Sequence, residues 1–286
     1  GSLAVTATAS ASAAPTEATG FVTLTNGATT RRIPFWFYVE DPKLGTEPHG
    51  VLTRTGTYTG TTRGKPSIVS GYRYPDMPSG LQGRPTGPEQ VYRVTLTRPV
   101  ANFGVAVLSA RNAPLAQPRV VIADNENHLT GYAGLPLAIN PYVDSFGAPR
   151  PVAGAVRPGA GTYDVVFDTT AGARTGPYTF RFWVNDVTPP SVRLLTPAPR
   201  RTAGLQLTVA DAGAGVDPRS LTATIDGKSV GVSFTRGRAT IRLGVVAPGR
   251  HRLVFSASDY QELKNMENVP RILPNTTTFT AAFRVR

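Results

Sequence analysis

Between Gly161 and Pro190, the runs Tyr163-Val165-Phe167 and Tyr178-Phe180-Phe182-Val184 carry an apolar residue at every second position. That period fits a β-strand with one buried face. Thr169 to Pro177, with Gly172, Gly176 and Pro177, predicts a hairpin between them. The second run leads into Asn185-Asp186-Val187-Thr188-Pro189-Pro190. Its prolines withhold ladder donors and enforce an extended path, so a unit boundary is predicted there. The same phrase occurs as Ile33-Phe35-Phe37-Val39 before Glu40-Asp41-Pro42, and as Phe279-Ala281-Phe283-Val285 near Arg286. Three closing strands predict three β units in series, residues 1–43, 44–187 and 188–286.

With 29 Gly and 26 Pro in 286 residues and no sustained helical period, strands between turns are what the chain can build. The predicted fold class is all-β, a tandem of β-sandwiches of fibronectin-III/Ig-like and jelly-roll-like type. In 44–187 the alternating runs are Gly56–Gly60, Tyr92–Leu96, Phe103–Val107 and Val120–Ile122 besides the hairpin above. In 188–286 they are Val192–Leu194, Leu205–Val209, Leu221–Ile225, Val230–Phe234, Ala239–Leu243, Leu253–Phe255 and the closing strand. Those seven strands match the count of an immunoglobulin-like sandwich. Asp259–Asn268 alone has helical composition. In 1–43, an edge strand at Leu3–Val5 and a hairpin turning on Asn26-Gly27, read as type I′, give too few strands to enclose an interior. This piece is expected to be the end of a sandwich whose other strands are encoded upstream, or to pack on the next unit.

The chain has no cysteine, which suits an exported bacterial protein that does without disulfides. It contains no run long enough for a membrane span. Net charge is +12, with arginine supplying all the basic residues but Lys43, Lys65, Lys228 and Lys264. The arginines are scattered, paired only at Arg31-Arg32 and Arg200-Arg201, which argues against a nucleic-acid face.

Chemistry is sparse. Gly227-Lys228-Ser229-Val230-Gly231 matches a nucleophile elbow by letters, but a strand follows where the elbow needs a helix. The same letters end like a P-loop, yet Thr222 stands where the first glycine belongs. His49, His128 and His251 fall on separate stretches, and no catalytic residue is assigned. Calcium is the one inorganic partner left open, with Asp186, Asp211 and Asp217 as its candidate ligands around the Gly-rich turn Asp211–Asp217. The competing reading is that such aspartates cap turns. For a peptide or polysaccharide, the candidate contacts are the aromatics Tyr72, Tyr74 and Trp36, the first two in the long connection Pro66–Glu89. Trp36 and Tyr38 point opposite to Ile33, Phe35 and Phe37, and Trp183 opposite to Phe180, a two-sided pattern that predicts packing against a neighbouring layer.

FVTLTNGATTRRIPFWFYVEDP resembles the end of the fibronectin-type-III-like domain that follows the catalytic domain in large secreted bacterial subtilisin-like serine peptidases. GTYTGTTRGKPS, GPEQVYRVTL and GPYTFRFWV resemble the bacterial pre-peptidase C-terminal sandwich. DVTPPSVRLL, VADAGAGVDPRSLTATIDG and the Asp259 segment resemble bacterial Ig-like modules. The resemblance implies the non-catalytic C-terminal region of such a peptidase, secreted or at the cell surface, with the upstream catalytic region as partner. Segments carrying the catalytic Asp, His and Ser are absent, so no activity carries over to any residue. A carbohydrate-binding or adhesive surface module is the alternative reading.

Overall fold

The computed structural model describes residues 2, 4–10, 13–73, 86–110, 117–129, 152–260 and 275–286. Tyr74 and the helical expectation beyond Tyr260 lie outside these residues. The fold is all-β. The described residues form a two-stranded ribbon followed by two sandwiches, each of two four-stranded sheets.

The ribbon pairs β1 (Thr16–Asn26) with β2 (Thr29–Val39) in one antiparallel ladder. Its turn differs from the expected one. Gly27 and Ala28 are the two central residues, and of these only Gly27 has a positive φ, +59°. That is a type II′ turn, which needs glycine first and places Asn26 in the ladder instead. Of the expected edge strand Leu3–Val5, Leu3 lies outside the described residues, and Ala4 and Val5 belong to no strand.

The first sandwich stacks the sheet β3-β5-β9-β7 on the sheet β4-β10-β6-β8. These strands are β3 (His49–Val51), β4 (Gly56–Thr61), β5 (Gln90–Leu96), β6 (Asn102–Ser109), β7 (Gln117–Ile122), β8 (Val152–Val156), β9 (Gly161–Asp168) and β10 (Pro177–Val184). The alternation seen in the sequence faces inward: Tyr92, Val94, Phe103, Val105, Val165, Phe167, Phe180 and Phe182 form one core. Phe167 and Phe180 sit 4.6 Å apart, centroid to centroid, at its centre. The outer face of the β5-β9-β7 sheet is also covered. Val91, Val121 and Val166 meet Leu44, Val69 and Tyr72 from two connecting segments. Because those segments are buried, their backbone groups need partners, and glutamates supply them. Glu126 accepts from the N–H of Lys43 and Leu44, and Glu89 from those of Ile68 and Val69.

The second sandwich stacks β11-β12-β16-β15 on β14-β13-β17-β18. The strands are β11 (Ser191–Leu194), β12 (Leu205–Ala210), β13 (Thr222–Ile225), β14 (Lys228–Val230), β15 (Val232–Thr235), β16 (Arg238–Ile241), β17 (Gly249–Ser258) and β18 (Thr276–Val285). Eight strands replace the expected seven, because Val230–Phe234 is not one strand. It divides at Gly231, and its halves join opposite sheets. The flanking hairpins turn on Asp226-Gly227 and Arg236-Gly237, each with two positive φ angles, the signature of type I′.

Candidate functional site

One dense polar constellation among the described residues lies where the two sandwiches meet. Past the end of β10, Asn185 adopts φ +55° and its side-chain Oδ1 accepts the N–H of Ala101 at 2.8 Å. This turn aims Asp186 toward the second sandwich. Asn102 clasps the backbone of Asp186, donating to its carbonyl at 2.7 Å and accepting its N–H at 3.0 Å. The Asp186 carboxylate then accepts from Thr188 N–H at 3.1 Å and from Ala214 N–H at 2.6 Å. From the facing strand of the first sandwich, Arg181 donates to the carbonyls of Gly213, at 2.7 Å, and Ala212. Trp183 closes the apolar side of the junction with Ala106, Val152, Ala214 and Tyr260. The predicted packing of Trp183 against a neighbouring layer is what the structure shows.

Asp186, Asp211 and Asp259 each bring a carboxylate oxygen to within 4.8 Å of the others. Asn275 stitches the group together, donating to Asp259 at 2.6 Å and to the Asp186 carbonyl at 3.2 Å. Asp211 accepts the N–H of Gly215 at 2.7 Å. Burial, with the Asp186 charge adding to it, raises the pKa of Asp211. An all-oxygen set of this kind suits a hard cation, which would need further carbonyl or water oxygens to reach its usual six to eight. Two of the three ligands read from the sequence are therefore brought together, and the third is not. Asp217 instead heads the 3₁₀ turn Pro218–Ser220 and accepts the Arg219 N–H at 2.9 Å. The third carboxylate is Asp259, 48 residues from Asp211 in the chain, whose place beside the Asp211–Asp217 turn is set by the Val216–Asp259 bridge. No local spacing announces that pairing.

Two other clusters are structural. His49, Asp124 and Asp164 also lie close together. There Arg93 supplies the positive charge, donating to Asp164 at 3.0 and 3.1 Å and to Asp124 at 2.5 Å. These bonds, foremost to Asp164, push the Arg93 pKa further up. A guanidinium thus fills the role a metal would take. On the second sandwich, His251 has a carboxylate partner, Asp226, at 2.7 Å, as in a catalytic dyad. Its other ring nitrogen lies 2.8 Å from the Ala247 carbonyl. A carbonyl only accepts, so that nitrogen carries a proton, and the carboxylate favours a proton on the other. The hydrogen bond to Asp226 accordingly raises the His251 pKa. With one ring nitrogen on Asp226 and the other on Ala247, both nitrogens of His251 are engaged within the protein. Ser229 lies in β14 of the type I′ hairpin, not on an elbow before a helix.

Of the aromatics expected to meet a ligand, Tyr72 is 2% exposed and packs within the smaller core, with Arg119 over its ring at 4.5 Å. So buried a ring cannot offer a face to a sugar. Trp36 is 46% exposed, so the layer packing that the two-sided pattern predicts does not hold for it, since β1 and β2 form a two-stranded sheet by themselves.

No protein-family model matches the chain, and no curated protein matches it. Among solved structures, the fibronectin(III)-like modules of Clostridium thermocellum CbhA align at 11% identity and a TM-score of 0.26, covering 80% of this chain and 94% of that one. A DUF4785 family protein from Legionella pneumophila aligns at 10% identity and a TM-score of 0.24, covering 92% of this chain and 70% of that one.

Proposed function

We propose that this chain is a non-catalytic accessory region of an exported bacterial subtilisin-like serine peptidase, which holds the enzyme or its substrate through a protein-binding arm. The observation that carries the reading is the β1–β2 ribbon. Ile33 and Phe35 on one face, and Phe21 and Trp36 on the other, are all exposed. The base of the ribbon is nonetheless fixed to the first sandwich. Arg73 lies 3.6 Å over the Tyr38 ring, and Glu40 takes Asn125 at 2.7 Å and Arg73 at 3.4 Å. An exposed apolar surface on a fixed mount is the form of an interaction site. The link to a peptidase rests on the sequence resemblance.

Co-purification of the chain with a separately expressed subtilisin-like catalytic domain tests this. Capture lost on Phe35→Ser or Trp36→Ser, with no casein hydrolysis by the chain alone, supports it. Casein turnover that disappears on Ser229→Ala overturns it. The carbohydrate reading retains Trp36 as its described contact, and glycan-array binding abolished by Trp36→Ala would favour it over the peptidase arm.

A further inference from the structure

The segment joining the ribbon to the first sandwich runs over a set of buried acids. Glu126 holds the N–H groups of Lys43 and Leu44 with both carboxylate oxygens. Glu89, 0% exposed, spends one oxygen on Ile68 and Val69. Its other oxygen meets no donor among the described residues, and neither does Oε1 of Glu47, which is 4% exposed. The two carboxyl groups face each other. Two ionised carboxylates so placed would repel each other where no water can screen them, whereas one shared proton turns the contact into a hydrogen bond.

We propose that Glu47 and Glu89 form a proton-sharing latch that fastens the 43–51 segment, and with it the ribbon's mount, to the first sandwich, and that opens when alkali removes the proton. Glu89 is the acceptor, because two backbone N–H groups already favour its charge; Glu47 keeps the proton. Among the described residues, the other charges that act on Glu47 oppose its ionisation. Glu126 and Asp164 add negative charge. Tyr72 is buried beside the same acids, and Arg119, whose guanidinium lies over the Tyr72 ring, is ion-paired with Asp168. Burial first, and Glu89 second, push the Glu47 pKa up from 4.5 to about 9. A raised carboxyl pKa stabilises the fold fully below the unfolded value; the benefit is lost as pH rises through the folded one. The window therefore runs from about 4.5 to about 9.

The test follows tryptic cleavage at Lys43–Leu44 by mass spectrometry, with trypsin activity normalised on a short peptide at each pH. Cleavage in the parent should rise about tenfold between about pH 7 and about pH 10, and stay within about twofold in Glu47→Gln, which keeps a donor but cannot ionise. A parallel rise in both chains would overturn the latch. Infrared spectroscopy of the unmodified parent gives a second reading independent of any variant. A protonated-carboxyl band that persists at neutral pH and titrates away in alkali supports the proposal, and its absence at neutral pH refutes it.

Discussion

Asp186 accepts the backbone N–H of Ala214 at 2.6 Å, a single bond that ties the strand end of one sandwich to the Gly-rich turn of the next. Gly213, immediately before it, stands where any Cβ would fall on the Asp186 carboxyl group. This contact and the absent side chain at Gly213 let the turn approach the strand end closely.

Gly213→Ala should separate the units energetically. The added methyl must push Asp186 off Ala214, at a cost of about 2–3 kcal/mol. Differential scanning calorimetry should show the parent's transition split or broaden toward two, with far-UV circular dichroism unchanged. A single transition at the parent's temperature would show that the junction couples nothing.

Asp211 should be a liability at neutral pH. Its raised pKa means that the folded state holds a proton more tightly than the unfolded one, so its contribution is greatest in acid and is lost as pH rises through the folded value. In chelator near neutral pH, Asp211→Asn should raise the melting temperature by about 1–3 °C. Calcium that raises the melting temperature of the parent but not of the variant would assign the cluster to a cation. Equal melting with and without calcium would assign it to hydrogen bonding alone.

Arg119 is 1% exposed and ion-paired with the equally buried Asp168. Burial lowers its pKa to about 10, the mark of a charge that gains little from its site. Arg119→Met leaves a buried carboxylate unpaired and should cost about 3–5 kcal/mol in urea unfolding. Adding Asp168→Leu should recover most of that loss. A double variant as unstable as the single one would show that the pair is held for packing rather than for charge balance.

His251 should titrate above the ordinary histidine value of 6.5 and return toward it in Asp226→Asn. Its stabilising contribution is present below the ordinary value and fades as pH rises through the raised one. Ring-proton NMR across the titration reads this directly. An unshifted curve in the variant would contradict the carboxylate's role.

Much of the architecture was legible because apolar alternation is a local property. Tyr178-Phe180-Phe182 must face one way whatever else the chain does, and these residues do line a core. Strand β8, VAGAV, was not legible, because both of its faces are buried. Ala153 and Ala155 enter the main core, while Val152 joins Trp183 at the junction. With no polar face there is no period to read. Strand β3 was missed for its brevity, three residues paired in parallel with β5. Gly231 divides an apparently continuous run because whether a strand stays in its sheet depends on the partner that waits on each side.

Short-range patterns were enough for the all-β class, most strands and the proximity of Asp186 to the second unit, because alternation, glycine and proline act over a few residues. It took the folded arrangement to bring Asp259 rather than Asp217 to Asp186 and Asp211, to bury Tyr72, and to set Glu47 against Glu89. Those pairings join residues dozens of positions apart, and it is the stacking of sheets and the burial of loops, not any spacing along the chain, that brings such groups together and fixes their charge.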